Sequence, residues 1–370
     1  MVALSVVEAA NQDLARNGSR PYVAVFTGGT AGIGAYAVVG IATVFGKAKT
    51  TRGLRVYIVG RSQTAAETLS ADCRTAYANG QYEFVKAADL SLLADVDHVC
   101  ETITAAESAV SRKEGHAPRI DLLVATQGVL SLSQHQTAEG IDFASSLFYY
   151  GRMRVVDQLL PLLLSVQEDD VVNDTDDNPP GHVVSVFNPK LEGAIVESDL
   201  SLRKPENQGI LVRGGQNASF TTFYMEALVS RYPGRIALAH YYPGYVVTDL
   251  ANKSPLPRWV KILWRLVAPL LSFFSVPQAE CGQRVLFMAS SAYYPPRGTG
   301  SDSDSKIRLK TAVAGADGTI ASGAYRLNWN GEAIARNKQA VSYRAKGMAE
   351  TVYSYTQEEF ALVVGETGNS

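Results

Sequence analysis

Seven residues constrain this chain more than any others. Gly28-Gly29-Thr30-Ala31-Gly32-Ile33-Gly34 sit between an apolar run at Tyr22–Thr27 and an apolar stretch of helical length. Glycines let the backbone bend sharply and approach a bulky anion, and a helix starting straight after them offers free N–H groups and a positive dipole end. Strand, glycine turn and helix in that order form the phosphate cradle of a dinucleotide-binding βαβ unit. Gly28, Thr30, Gly32, Ile33 and Gly34 are the first candidate cofactor contacts.

The alternation continues along the chain. Apolar runs at 54–59, 82–85, 120–125, 182–187, 235–241 and 322–327 read as strands, and 64–78, 94–109, 139–164 and 218–231 have helical length and period. Apolar strands alternating with helices form parallel units covered on both faces, and right-handed crossovers make a doubly wound sheet the economical topology. The expected fold is therefore α/β, a doubly wound parallel sheet of Rossmann type in a single domain over 21–330. A lead at 1–20 precedes it, a lid region at 252–300 belongs to it, and a C-terminal helical tail at 331–370 follows. The acidic, turn-rich stretch 168–181 and the apolar-poor stretch 298–305 read as surface loops.

Composition narrows the function. A chain of 370 residues, 46% of them hydrophobic, can bury a large core. A net charge of −2 argues against a dedicated nucleic-acid or anionic-membrane binder, since both need a basic field. Cys73, Cys100 and Cys281 are odd in number and widely spaced, with no Cys-x-x-Cys, so neither a disulfide framework nor a metal site is expected. No basic segment followed by an apolar run opens the chain, so no secretory signal is expected and a reducing, cytoplasmic setting fits. The apolar run from Trp259 to Phe274 is interrupted by Lys261, Arg265 and Pro269, which argues against a membrane span. It reads as a lid over an apolar pocket or as core, with an interfacial helix as the alternative.

The motifs resemble those of the short-chain dehydrogenase/reductase family. Thr27 to Gly34 is similar to its T-G-x-x-x-G-I-G turn, and further matches follow in order. Gly60-Arg61-Ser62 ends the second strand where the family places a basic residue on the 2′-phosphate of NADP(H), and a guanidinium suits that phosphate. Asp89-Leu90 resembles the pair bordering the adenine, and Thr126-Gln127-Gly128 stands where the family has Asn-Ala-Gly. Pro243-Gly244, with Thr248 beyond, resembles the turn near the nicotinamide. The resemblance covers about residues 20–250, and the tail, including Tyr325-Arg326-Leu327 and Tyr353–Phe360, is similar to that of a divergent filamentous-fungal branch found in secondary-metabolite pathways. It implies NADP(H), working or vestigial, held by the glycine turn, Arg61, Asp89, Leu90, Gln127, Gly128, Pro243, Gly244 and Thr248.

The resemblance also says where chemistry should sit, and there the chain departs from the family. A tyrosine, a lysine four residues later, a serine and an asparagine normally exchange and relay the proton. Counting back from Pro243-Gly244 puts Arg213 in the tyrosine slot and Asn217 in the lysine slot; the fifth strand puts Asn188 in the serine slot, and the helix from Glu139 puts Phe148 in the asparagine slot. The remaining polar candidates are Asn188 and Lys190 after the fifth strand, Arg213 and Asn217 before the sixth helix, and His135 after the fourth strand. Lys190 or Arg213 would stabilise a developing oxyanion, and His135 would carry a proton near neutral pH; the ordinary alternative for each is a solvated loop side chain. Tyr224, Tyr241 and Tyr242 read as core or pocket lining, and His240 as a hydrogen-bonded core histidine.

Three functions fit. The first is a non-redox cyclase, isomerase or rearrangement catalyst for a hydrophobic natural product, working mainly by orienting a reactive substrate. The second is an atypical NADP(H)-dependent oxidoreductase with a replaced proton donor. The third is a non-catalytic cofactor-binding protein. The expected partner is a lipophilic small molecule, with no nucleic acid and no membrane span, and a homodimer is left open.

Overall fold

In the computed structural model, residues 1–131, 134–164, 179–299, 311–335 and 337–367 are described. Seven strands, β1 (Tyr22–Thr27), β2 (Leu54–Gly60), β3 (Gly80–Lys86), β4 (Leu122–Ala125), β5 (Gly181–Val186), β6 (Ile236–Tyr241) and β7 (Ala324–Leu327), form one sheet in the order β3-β2-β1-β4-β5-β6-β7. Every pairing is parallel. The order reverses beside β1, so a crevice opens there at the carboxyl ends of the strands, where ligands of such sheets bind.

Side-chain alternation along the strands decides what covers each face. Ala24, Phe26, Val56, Ile58, Val124, Val184 and Tyr241 pack beneath α1 (Leu4–Arg16), α2 (Gly32–Ala48), α3 (Gln63–Ala76) and α10 (Gln278–Phe287). Val23, Val25, Tyr57, Leu123, Val183 and Leu238 pack on the other face, against α4 (Leu93–Glu114), α6 (Gly151–Leu164) and α7 (Ile210–Arg231). The tail joins that second core. Ala340 and Tyr343 of α11 (Lys338–Ala345), and Met348, Val352 and Phe360 of α12 (Met348–Thr367), are buried in it. The lead also carries a helix, α1, whose Val7, Asn11 and Ala15 are fully buried.

The expected doubly wound sheet is present, with several boundaries moved. The stretch read as one helix from 139 begins at α5 (Phe143–Ser145) and passes through a π-helical turn, Ser146–Tyr150, into α6. Gly140 is left-handed at φ +75°, Asp142 caps α5 by accepting from the Ser145 N–H, and Glu139 accepts from the N–H groups of Leu93 and Ala94. The helix read from 218 begins at Ile210, so Arg213 and Asn217 lie inside α7 rather than before it. Gly214-Gly215 are poor helix formers and hid that start. Packing overrides propensity: a Cβ on Gly215 would stand 3.2 Å from the Gly193 Cα. Most of the two loops read from sequence, 168–178 and 300–305, lies outside the described residues.

Candidate functional site

The glycine turn is built for close approach. Gly28 and Gly32 are left-handed, at φ +72° and +54°. A Cβ on Gly28 would stand 2.8 Å from the Gln127 amide N and from Thr126 Oγ1, and one on Gly34 would stand 2.5 Å from the Gly28 carbonyl oxygen. A Cβ on Gly60 would run into the Thr30 side chain, which ties the turn to the end of β2. From across the crevice the loop after β6 reaches back. Thr248 Cγ2 lies 3.2 Å from where a Gly32 Cβ would be, and the Tyr36 hydroxyl donates to the Val247 carbonyl at 3.0 Å. Gly244, at φ +78°, turns the chain against Val276 and Trp329. Gly32 and Thr248 are therefore neighbours, and Ile33 packs with Val276 and Trp329, against which Gly244 turns, so the glycine turn and the loop after β6 face one another.

The remaining cofactor candidates follow β2, β3 and β4. Arg61 follows β2, is exposed and forms no ion pair among the described residues. The Asp89 carboxylate accepts from the Ser91 N–H and hydroxyl at 2.9 and 2.7 Å, and Leu90 is buried. Gln127 Oε1 accepts from the Thr27 hydroxyl at 2.6 Å, while its Nε2 is buried without a partner among the described residues. A cradle that any Cβ would fill, helix α2 starting within it, a free guanidinium after β2 and an orphaned amide donor after β4 together suit a phosphorylated dinucleotide.

The catalytic candidates do not form one group. Asn188 Oδ1 accepts from the Lys190 N–H at 3.0 Å, so Asn188 caps the short turn Pro189–Leu191. Lys190 is exposed, and its Nζ lies 4.8 Å from the centroid of the Tyr242 ring. Arg213, Asn217 and His135 instead line a cavity of about 310 Å³ that Asn188 and Lys190 do not line. It is polar, with Gln134, Asp142, Gln208, Gln216 and Glu359 in its wall. The Arg213 guanidinium is buried and donates to Asp142 Oδ2 at 2.5 Å, which neutralises it. Asn217 Nδ2 donates to Ser145 Oγ at 3.1 Å, and the His135 ring stacks on Phe143 at 4.5 Å. The Trp259–Phe274 segment does not line this cavity, whose polar wall differs from the apolar pocket expected.

Sequence reading missed Arg152. It is buried with no carboxylate partner among the described residues and donates to Ser185 Oγ at 2.9 Å, to the Val186 carbonyl at 2.8 Å and to the Gln127 carbonyl at 2.5 Å. Burial lowers its pKa to about 9, which leaves it charged at neutral pH. Its guanidinium lies 5.7 and 5.9 Å from the rings of Phe148 and Phe187, which stack at 4.8 Å. His240 is fully buried; its Nδ1 meets the Thr222 hydroxyl at 3.0 Å and its Nε2 has no partner among the described residues. Burial, then the charges of Arg326 and Arg152, hold its pKa well below the usual histidine range. Tyr224 and Tyr241 are core, as read, and Tyr242 is half-buried. The chain's Tyr-x-x-x-Lys pair, Tyr82 and Lys86, lies in β3 at the far edge of the sheet, with the Tyr82 hydroxyl donating to the carbonyls of Cys73 and Tyr77.

No family model matches the chain. Among curated proteins it is 31% identical to "Short-chain dehydrogenase/reductase SAT2" of Stachybotrys chartarum over 330 residues, 88% of each chain. It is also 31% identical to "Oxidoreductase andH" of Emericella variicolor over 368 residues, 99% of this chain and 98% of that one. Among solved structures, an uncharacterized protein from Mycobacterium paratuberculosis superposes with a TM-score of 0.51 at 17% identity, over 94% of this chain and 96% of that one, a likeness of fold alone. With the glycine cradle, the strand order and that identity along most of its length, the chain belongs to the short-chain dehydrogenase/reductase family.

Proposed function

We propose that the protein is an NADP(H)-dependent oxidoreductase for a lipophilic small molecule, in which Tyr242, backed by Lys190, replaces the family's proton-exchanging tyrosine. The observation that carries this reading is the Lys190 ammonium 4.8 Å from the Tyr242 ring, directly before the Pro243-Gly244 turn. Position 242 continues the alternation of Leu238 and His240, so it belongs to the sheet face that carries α7 and the family's usual proton relay. Names of curated relatives, among them "Oxidoreductase andH", support the same class.

The Gly28–Gly34 turn and the α2 N-terminus would hold the pyrophosphate, Arg61 the 2′-phosphate, and Gln127, Pro243 and Thr248 the nicotinamide end. The chemistry such a cofactor supplies when bound is two-electron hydride transfer. The chain supplies the proton. The Tyr242 hydroxyl gives it to the substrate oxygen, and the Lys190 ammonium attracts the negative charge that develops on the phenolic oxygen. Asn188 Oδ1 is committed to the Lys190 N–H, which leaves its Nδ2 to hold the substrate oxygen. Phe148 and Phe187, stacked beside Gly128, offer an apolar wall. Arg213, Asn217 and His135 lie outside this path and shape the neighbouring polar cavity.

A second reading, non-redox conversion of a hydrophobic natural product, is favoured by Phe148, Asn188, Arg213 and Asn217 in the four family slots. Turnover of a panel of lipophilic ketones, followed by NADPH absorbance, separates the two. Tyr242→Phe should lower kcat about 10²–10⁴-fold with NADPH affinity unchanged, the usual worth of a general acid. Lys190→Met should fall between wild type and Tyr242→Phe. Full activity in Tyr242→Phe refutes the assignment, and product formed without NADPH loss favours the second reading.

A further inference from the structure

The described residues include no helix long and apolar enough to cross a membrane, yet α9 (Arg258–Ser272) is an unusual surface element. None of its residues is buried. Trp259, Ile262, Leu263, Leu266, Val267 and Leu270 are exposed, and Phe273 and Phe274 beyond its end are 85% and 83% exposed. At 3.6 residues per turn these eight fall on one outward arc. The half-buried Val260, Trp264, Ala268 and Leu271 form the arc facing the protein. Between the two arcs, on one flank, lie Arg258, Lys261 and Arg265.

The charge is one-sided. From 250 to 279 the chain has Lys253, Arg258, Lys261 and Arg265 and no acidic residue, and none of the four forms an ion pair among the described residues. Among the described residues Lys261 Nζ donates to the Asn252 carbonyl, at 2.9 Å. The balanced net charge of the whole chain hides this local excess. A protein-covered arc, an apolar arc carrying Trp and Phe, and a basic flank are the three faces of a helix lying in a bilayer interface, its rings among the acyl chains and its cations among anionic headgroups.

We propose that α9 docks the protein on an anionic lipid surface. A second protein copy would have to offer acidic groups opposite the basic flank, and lipid phosphates meet that requirement directly. The Trp264 ring packs edge-on to Tyr245 at 6.3 Å, just beyond the Pro243-Gly244 turn, so docking sets the cleft beside the bilayer. That a lipophilic substrate would enter from the membrane rests on the proposed function; the docking does not.

The test is flotation of the full chain with phosphatidylcholine vesicles, with and without phosphatidylserine, together with tryptophan fluorescence and size-exclusion chromatography. The chain should float with the anionic vesicles and much less with phosphatidylcholine alone, its emission should shift to the blue, and added salt should weaken the effect. Arg258→Gln, Lys261→Gln and Arg265→Gln together should lower partitioning roughly 100-fold, at about fivefold per cation. Trp259→Ser with Phe273→Ser and Phe274→Ser should abolish it, while an unchanged far-ultraviolet circular dichroism spectrum and melting transition show both variants folded. No flotation, or flotation that neither variant changes, overturns the proposal. A dimer dispersed by the Trp259 variant overturns it in favour of a second copy as the occupant.

Discussion

Replacing Gly28 by alanine separates two costs that usually arrive together. The first is conformational: at φ +72° an L-residue is strained by about 1–2 kcal/mol. The second is steric. The added methyl would stand 2.8 Å from the Gln127 amide N and Thr126 Oγ1, at the first residues after β4, where the backbone cannot easily give. Overpacking of this kind costs about 1–3 kcal/mol. Gly115 supplies the control, since it has a similar φ of +76° and nothing within 4 Å of its Cβ position. Gly115→Ala should therefore lose only the conformational part, about 1–2 kcal/mol in chemical denaturation, and leave NADPH binding intact. Gly28→Ala should lose about 2–5 kcal/mol and most of its NADPH affinity, read by nucleotide fluorescence. Equal stability losses in the two variants, or unaltered NADPH affinity in Gly28→Ala, would refute the idea that this turn is a tight cradle.

Arg61→Ala should weaken NADPH by roughly 10–100-fold while leaving NADH nearly unchanged, the worth of a charge-assisted phosphate contact; equal losses for both nucleotides count against it. Burial lowers the His182 pKa from 6.5 to about 4. The unfolded chain then takes up a proton that the folded one refuses, so stability present above pH 6.5 is lost as pH falls toward 4. The loss approaches about 3 kcal/mol, and His240, shifted the same way, adds to it. His182→Asn should flatten that slope in denaturation curves measured across the window; an unchanged slope would show that the buried ring is not its source.

The sheet and its cradle were legible because their signals are local. Continuous apolar runs and a glycine turn need no tertiary information. The start of α7 was not legible, because packing on Gly193 holds a segment that Gly214-Gly215 would otherwise weaken. Register alone placed Asn188 and Lys190 after β5, but it could not foresee that Arg213 is matched by Asp142, 71 residues away, or that Lys190 meets Tyr242 across two strands. Arg152 carries no local signal, being one of two arginines in a largely apolar helix; only the assembled sheet shows that its partners are carbonyls and a hydroxyl. The segment expected as lid or core became α9, with its apolar arc facing outward.

Hydride transfer at this site, with Tyr242 giving the proton, is the core of the proposed function. Its most direct test is turnover with NADPH deuterated at the transferring position of the nicotinamide, the product being read by mass spectrometry. Each product molecule should gain one deuterium for each NADPH oxidised, with the same label appearing far more slowly in Tyr242→Phe. An altered product that carries no deuterium, formed while NADPH remains intact, would contradict it.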